Sequence, residues 1–336
     1  MAVSAEHPLR EVTMRAMQVA DFGAPLELVD APVPQPGSGE VRISVHAAGV
    51  NFADMLLIQG LYQARPELPF APGFEVAGVV SALGEGVATF EVGDRVMAFV
   101  PFGGYAEEVV APVPTVFPIP DTVPFERAAV LPVAYGTAYH ALHDRGALQP
   151  GETLVVLGAS GGVGLTAVEV GKYLGATVIG CVGADWKGEV VADRGADHIV
   201  NYTTEDVRSR VRELTEGRGA DVVYDPVGGD ATDAAVRYLA WRGRLLLIGF
   251  TAGRIPDLPA NRFLLSESSA VGVFWGRFAE MEPEQNQRNF AWLLDRMADE
   301  TFAPLIHRRF PLDGAGAALA LLAERQAVGK LVIEVR

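Results

Sequence analysis

The sequence predicts an α/β protein in two parts, a β-rich front domain and a doubly wound domain built on a parallel sheet. Three observations carry this. Residues 154–175 read LVVLGASGGVGLTAVEVGKYLG, an apolar run, a glycine turn and an amphipathic stretch closed by Gly175. From Thr153 to about Val273, short apolar runs alternate with helical stretches, as parallel crossovers require. From Met14 to about Ala129 the chain is instead rich in glycine, proline and short β-branched runs.

The glycine turn organises the rest. Leu154–Leu157 is apolar throughout, as in a strand buried on both faces. Gly158, Gly161 and Gly164 follow at a G-x-x-G-x-x-G spacing, with Gly162 and Val163 between the last two. A strand, a glycine turn and a helix start make a site for a dinucleotide pyrophosphate. Missing Cβ atoms let backbone approach phosphate, and free N–H groups at the helix N-terminus receive its charge.

Composition bounds the function. The 336 residues suffice for two domains, and 49% apolar with 21% charged residues is ordinary for a soluble globular chain. No apolar run reaches the length of a membrane span and no signal peptide is visible, so a cytoplasmic protein with no membrane partner is expected. A net charge of −15 argues against nucleic-acid binding. Cys181 is the single cysteine, so an internal disulfide and a multi-thiolate metal site are both excluded.

In the front part, EVRISVHAAGV, EVAGVVSALG and GDRVMAFV are separated by turn signals at Pro34–Gly39, Pro72–Gly73 and Gly93–Asp94, predicting a mostly antiparallel β domain. GVNFADMLLIQGLY differs, with a short helix-like middle that sets Asn51, Asp54 and Tyr62 among apolar neighbours. Residues 121–150 read as helical, broken at Pro132, and link the two parts. Strands are then expected at Leu154–Leu157, Thr177–Cys181, His198–Val200, Val222–Tyr224, Leu245–Ile248 and Ala270–Phe274. Glu284–Arg336 adds one or two helices and a last strand, Lys330–Val335, returning to the first domain. Residues 1–13 are polar and read as a flexible tail.

Taken together, GVNFADMLLIQGLY, PFAPGFEVAG, GDRVMAF, GGYAEE, LGASGGVGL, GADHIVNY, VVYDPVGG and GRLLLIGF resemble the medium-chain dehydrogenase/reductase superfamily, in particular its zinc-free quinone oxidoreductase (zeta-crystallin-like) branch. The resemblance runs from Met14 to Arg336. It implies a GroES-like β-rich catalytic domain at 14–130 and 274–336, with a Rossmann NADP-binding domain at 131–273 and the active site in the cleft between them.

Alcohol dehydrogenases of the superfamily hold a catalytic zinc with an early cysteine and a Gly-His-Glu. The matching places here carry Asn51 and Gly73-Phe74-Glu75, and His140 and His143 read as a satisfied or exposed pair, so no metal is expected. Without zinc to lower the pKa of a bound oxygen, the expected acceptor is already electrophilic: a quinone, or an alkene conjugated to a carbonyl. Its developing oxyanion needs only hydrogen-bond donors, and the resemblance points to Asn51 and Tyr62.

An NAD site usually offers an acid at the end of its second strand. Val182-Gly183-Ala184 stands there, and Asp185 comes slightly late. Lys187 and Tyr202 match family positions around the adenosine 2′-phosphate, and Arg325 matches a further cofactor contact; NADPH is the expected cofactor. The resemblance also brings the backbone of Gly249-Phe250-Thr251 to the nicotinamide carboxamide, with Thr137 nearby. It carries Phe274 and Trp275 toward the cofactor, after a strand that pairs across a two-fold axis, so a homodimer is expected. The leading reading is hydride transfer from NADPH to a quinone. The alternatives are an enone or enoyl-thioester reductase on the same scaffold, and a non-catalytic NADPH-binding protein. A short-chain dehydrogenase is excluded, because the chain has no Y-x-x-x-K.

Overall fold

A computed structural model describes residues 12–336. The expected tail, 1–13, lies outside the described residues except for its last two, and Thr13 already belongs to a strand. The front of the chain is antiparallel, as its turn signals require. Strand β1 (Thr13–Gln18) pairs with β2 (Glu27–Pro32). Then come β3 (Glu40–Val50), α1 (Phe52–Ile58), β4 (Glu75–Leu83), β5 (Arg95–Phe99), β6 (Glu108–Pro112) and β7 (Val116–Pro118). β3 alternates buried and half-buried residues until Ala47, after which every residue is buried.

Helix α2 (Phe125–Ala128) leads into α3 (Leu131–Tyr139), which continues as a π-helical turn over His140–Arg145. The break expected at Pro132 is instead a helix start. Pro132 sits in the first turn, where a missing N–H costs no hydrogen bond. The stretch read as a linker is a core helix, almost wholly buried. Gly136 lets Trp275 lie against it; a Cβ there would fall 2.8 Å from the indole.

The second sheet runs β8 (Thr153–Val156), α4 (Gly162–Tyr173), β9 (Thr177–Val182), α5 (Asp185–Asp193), β10 (His198–Asn201), α6 (Val207–Leu214), β11 (Ala220–Asp225), α7 (Gly229–Ala235), β12 (Leu239–Leu247), α8 (Ala260–Ser266) and β13 (Ser269–Gly272). All pairs are parallel, in the order β10-β9-β8-β11-β12-β13. The order reverses at β8, so the glycine turn opens at the switch point, where such sheets bind ligands. The last strand is shorter than Ala270–Phe274. It ends at Gly272 because Trp275 turns into the core, where its indole N–H donates to Asn286.

The chain closes with α9 (Trp275–Met281), α10 (Pro283–Ala298), β14 (Ile306–Pro311), α11 (Ala315–Ala323) and β15 (Lys330–Glu334). β14 was not foreseen, since IHRRFP buries only Phe310 and shows no apolar alternation. β15 pairs antiparallel with β3, Leu331 opposite Val50, and so returns to the first sheet as expected. That sheet has the order β14-β15-β3-β4-β5-β7, with β6 also on β3. Just before β15, Gly329 bridges Gly161 and donates its N–H to Ser160 O. The two sheets are thereby joined at the glycine turn.

Candidate active site

The three glycines of the turn do different work. Gly158 has φ +59, a left-handed conformation that side chains disfavour, and makes the tight turn out of β8. Gly164 packs against that turn so closely that a Cβ would fall 2.2 Å from Gly158 O. Gly161 has φ −75 and ψ 169, with nothing closer than 3.4 Å to a Cβ. Neither conformation nor packing requires glycine there. Its bare backbone, with Gly162 and Val163 in the first turn of α4, is what a phosphate would approach.

At the end of β9, a Cβ on Gly183 would lie 2.5 Å from the Tyr202 hydroxyl, so Tyr202 takes the space an acidic side chain would need. Ala184 caps α5. Asp185 is turned away, its carboxylate accepting from Asn201 Nδ2 at 2.6 Å. Lys187 Nζ donates to Arg325 O at 2.6 Å, and Arg325 stands at φ +57 just beyond α11. Burial, and then the Arg325 charge, lower the Lys187 pKa. Among the described residues neither cation has a carboxylate partner. Two adjacent cations without an anion leave positive charge that an anionic group could neutralise.

Gly249, Phe250 and Thr251 follow β12, with Thr251 Oγ1 donating to Pro226 O at 3.0 Å and Phe250 lying over Gly228. Thr137, buried in α3, makes no side-chain hydrogen bond among the described residues. Phe274 is half exposed, whereas the Trp275 ring is 4% exposed. Trp275 belongs instead to a row of aromatic rings reaching back to Tyr62: Tyr62–Phe74 at 5.1 Å, Phe74–Phe99 at 6.4 Å and Phe99–Trp275 at 4.8 Å. The Tyr62 hydroxyl bonds to nothing within the described residues. Its pKa is raised by burial and then by the Asp54 charge, which keeps it a donor.

Asn51 lies at the centre of a buried polar cluster that holds side chains from four parts of the chain. Its Nδ2 donates to Glu75 Oε1 at 2.9 Å, and its Oδ1 accepts from Lys330 Nζ at 2.5 Å. Lys330 Nζ also donates to Glu75 Oε1 at 2.8 Å and to Val50 O at 3.0 Å. The other Glu75 oxygen accepts from Val133 N at 2.7 Å. Asp54 accepts from Asn51 N, Gly73 N and the Tyr105 hydroxyl. Sequence reasoning named Asn51 and passed over Glu75 and Lys330 as functional residues. The signal was present, because each is a charge set within an apolar run, GFEVAGVV and AVGKLVIEV, and such charges are buried only when paired.

His140 is buried against Phe278 and bonds Asp144, which also bonds His143 and Asn289. Among the described residues no three of His, Cys, Asp and Glu converge in a way that could hold a metal ion. Nor is any helix there long and apolar enough to cross a membrane.

Comparison with known proteins agrees with this architecture. Residues 37–121 match the alcohol dehydrogenase GroES-like domain, and residues 162–294 the zinc-binding dehydrogenase family. The chain is 37% identical to the quinone oxidoreductase-like protein 2 homolog of Nematostella vectensis, across 98% of this chain and 91% of that protein. The solved structure of mycobacterial Rv1454c complexed with NADPH superposes with a TM-score of 0.90 at 35% identity, covering 96% of this chain and all of that one. Escherichia coli quinone oxidoreductase complexed with NADPH gives 0.89 at 27% identity, with the same coverage. With a GroES-like front, a parallel-sheet domain entered through a glycine turn and relatives matched over nearly their whole length, the chain belongs to the quinone oxidoreductase (zeta-crystallin-like) branch of the medium-chain dehydrogenase/reductase superfamily.

Proposed function

We propose that the protein is an NADPH-dependent oxidoreductase that delivers hydride to a quinone without a metal ion. The observation that carries the cofactor is the Lys187–Arg325 pair beside Tyr202, cationic and without a carboxylate partner, while Asp185 is spent on Asn201. Gly158–Gly164 and the start of α4 would hold the pyrophosphate. Lys187, Arg325 and Tyr202 would hold the 2′-phosphate, and Gly249–Thr251, Thr137 and Phe274 the nicotinamide end. When bound, NADPH supplies the hydride. The aromatic row from Tyr62 to Trp275 offers flat apolar surface to a ring substrate and excludes water. The free Tyr62 hydroxyl and the remaining Asn51 N–H are donors for the oxygen on which negative charge develops.

A coenzyme A thioester would need cations for its phosphates. Arg65 lies over the Phe22 ring at 4.5 Å, and Arg95 is tied to Phe125, Val123 O and Asp121, which favours the quinone over the enoyl thioester. The test is NADPH absorbance with a panel of quinones, enones and enoyl thioesters, repeated with NADH and with a chelator. Quinones should be the fastest acceptors and the chelator without effect. Lys187→Ala should weaken NADPH binding about tenfold or more, with NADH within about twofold. Equal losses for both dinucleotides would overturn the phosphate assignment, and NADPH binding with no turnover on any acceptor would overturn the enzyme.

The homodimer belongs to the same proposal. β13 is an edge strand with exposed residues, and Leu264 and Leu265 on the adjoining α8 are 79% and 74% exposed. An open edge beside bare leucines is a surface that soluble proteins cover. Sedimentation should give two chains per particle, and Leu264→Glu with Leu265→Glu should give one; a wild-type monomer would refute this.

A further inference from the structure

Asn51 can donate to an oxyanion only if its carboxamide faces the right way, and the groups around it determine that orientation. An ammonium has donors and no acceptor, and a carboxylate has acceptors and no donor. Lys330 Nζ meets one end of the Asn51 amide at 2.5 Å and Glu75 Oε1 meets the other at 2.9 Å. Rotating the amide by half a turn would set N–H against ammonium and oxygen against carboxylate. Two charge-assisted hydrogen bonds would be lost and two repulsions gained. In the observed orientation one amide hydrogen goes to Glu75, and the second makes no bond within the described residues.

Lys330 has no proton left for a ligand. Its three are given to Val50 O, Asn51 Oδ1 and Glu75 Oε1, so direct contact with a phosphate is not its task. Its stem, however, lies on the glycine turn: a Cβ on Gly162 would fall 2.8 Å from Lys330 Cδ. The residue before it, Gly329, is bonded to Ser160 O and bridges Gly161. One side chain therefore touches the pyrophosphate turn along its length and the Asn51 amide at its tip.

We propose that Lys330 and Glu75 are positioning residues that hold the Asn51 carboxamide in its donating orientation, and that Lys330 ties this orientation to the glycine turn. The proposal rests on the oxidoreductase reading above. Glu75 is itself held from outside the cluster, by the N–H of Val133 near the start of α3. The donor is thereby referred to the first sheet, the second sheet and the helix between them.

The test compares wild type with E75Q/K330M, a neutral pair of similar shape that removes the two opposite charges together. Asn51→Ala and the triple variant complete a cycle. In E75Q/K330M, kcat should fall about 10- to 100-fold while the NADPH Kd stays within about threefold. The triple variant should be no slower than Asn51→Ala alone, because residues that act through Asn51 have nothing to act on once it is gone. A readout without turnover is the Asn51 side-chain NH₂ pair in a ¹H–¹⁵N spectrum, assigned by its loss in Asn51→Ala. Wild type should show a pair shifted from free-amide positions and slow to exchange with solvent, and E75Q/K330M a pair near free-amide positions that exchanges fast with solvent. Lys330→Arg keeps a cation opposite Oδ1 and should retain the shifted, solvent-protected pair, which keeps the question decidable if E75Q/K330M does not fold. An unchanged amide pair in E75Q/K330M, its loss in Lys330→Arg, or a triple variant slower by the product of the separate losses would overturn the proposal. If wild type fails to oxidise NADPH with any of the acceptors, the oxidoreductase reading fails, and the amide spectra still decide the positioning claim.

Discussion

Gly164→Ala should lose NADPH binding and about 1–3 kcal/mol of stability, whereas Gly161→Ala should keep the fold and lose binding alone. At Gly164 a Cβ would meet Gly158 O at 2.2 Å, Gly158 C at 2.9 Å and Ala159 Cα at 3.0 Å. These are backbone atoms, so no side chain can swing away. Ala159 N is held by Cys181 O and Gly161 N by Gly158 O, so the clash can be relieved only by shifting α4 or opening the turn. Either change moves the N–H groups proposed to receive phosphate. At Gly161 the backbone is ordinary for any residue and the nearest atom is 3.4 Å away. A methyl group there is tolerated by the protein and obstructs only what approaches from outside. Thermal melts and NADPH titration of both variants decide the matter. A Gly164→Ala protein as stable as wild type would refute the packing role. A Gly161→Ala protein that binds NADPH like wild type would refute close phosphate approach.

The contrast also marks how much was legible in advance. The spacing of Gly158, Gly161 and Gly164 announces a turn between strand and helix, because four glycines in seven residues are otherwise hard to explain. It does not say which glycine serves packing and which serves the ligand, since that depends on where Gly158 O ends up. The parallel strands were legible because each is an apolar run bounded by turn residues. β14 was not, because IHRRFP is held by pairing to β15 and carries exposed arginines. Pro132 misled for a local reason: the same residue breaks a helix interior and begins a helix, and only the burial of Leu131–Tyr139 distinguishes the two. Trp275 was placed at the cofactor by position. Its side chain is instead drawn under α3, where Gly136 leaves room for it, a contact between residues 139 positions apart that no local pattern carries.

The site was legible residue by residue and illegible as a cluster. Asn51 and Tyr62 stand in one stretch and can be read together. Glu75 comes from β4 and Lys330 from the last strand, and only the pairing of β3 with both β4 and β15 brings them to one place. That pairing also settles what sort of cluster it is. Glu75 and Lys330 are 0% and 4% exposed and bonded to each other, and breaking such a pair from one side is costly because the remaining charge has no water. Variants here are therefore interpretable only when charge is removed in pairs, or replaced by a neutral group of the same shape.

Asp54 is the place where a single neutral replacement suffices, and its effect should be read in pH. Its carboxyl is wholly buried, and burial pushes its pKa up to about 7; the Asn51 N–H, the Tyr105 hydroxyl and Lys330 pull it partly back, and Glu75 opposes them. A carboxylic acid whose folded pKa lies above its unfolded value of 3.8 binds its proton more tightly in the native state. Between about pH 4 and 7 the folded protein then holds a proton that the unfolded chain has released, and stability falls as pH rises through this window, by up to about 1.4 kcal/mol per unit. Above pH 7 both states are ionised and the loss is complete. Asp54→Asn cannot ionise, so its stability relative to wild type should rise by about 2–3 kcal/mol between pH 5 and pH 8. The comparison must be made as a difference. Glu107, Asp144, Glu152 and Asp197 have lowered pKa values, which makes stability fall with acid in both proteins alike. Urea unfolding of wild type and Asp54→Asn at the two pH values measures it directly. A difference that stays constant would mean that Asp54 is ionised in the native protein throughout, held by its three donors against the cost of burial. A difference that grows with pH would mean that the cluster beneath Asn51 takes on a further negative charge near neutrality, so that the proposed hydrogen-bond donor and the protonation of its support are coupled near pH 7.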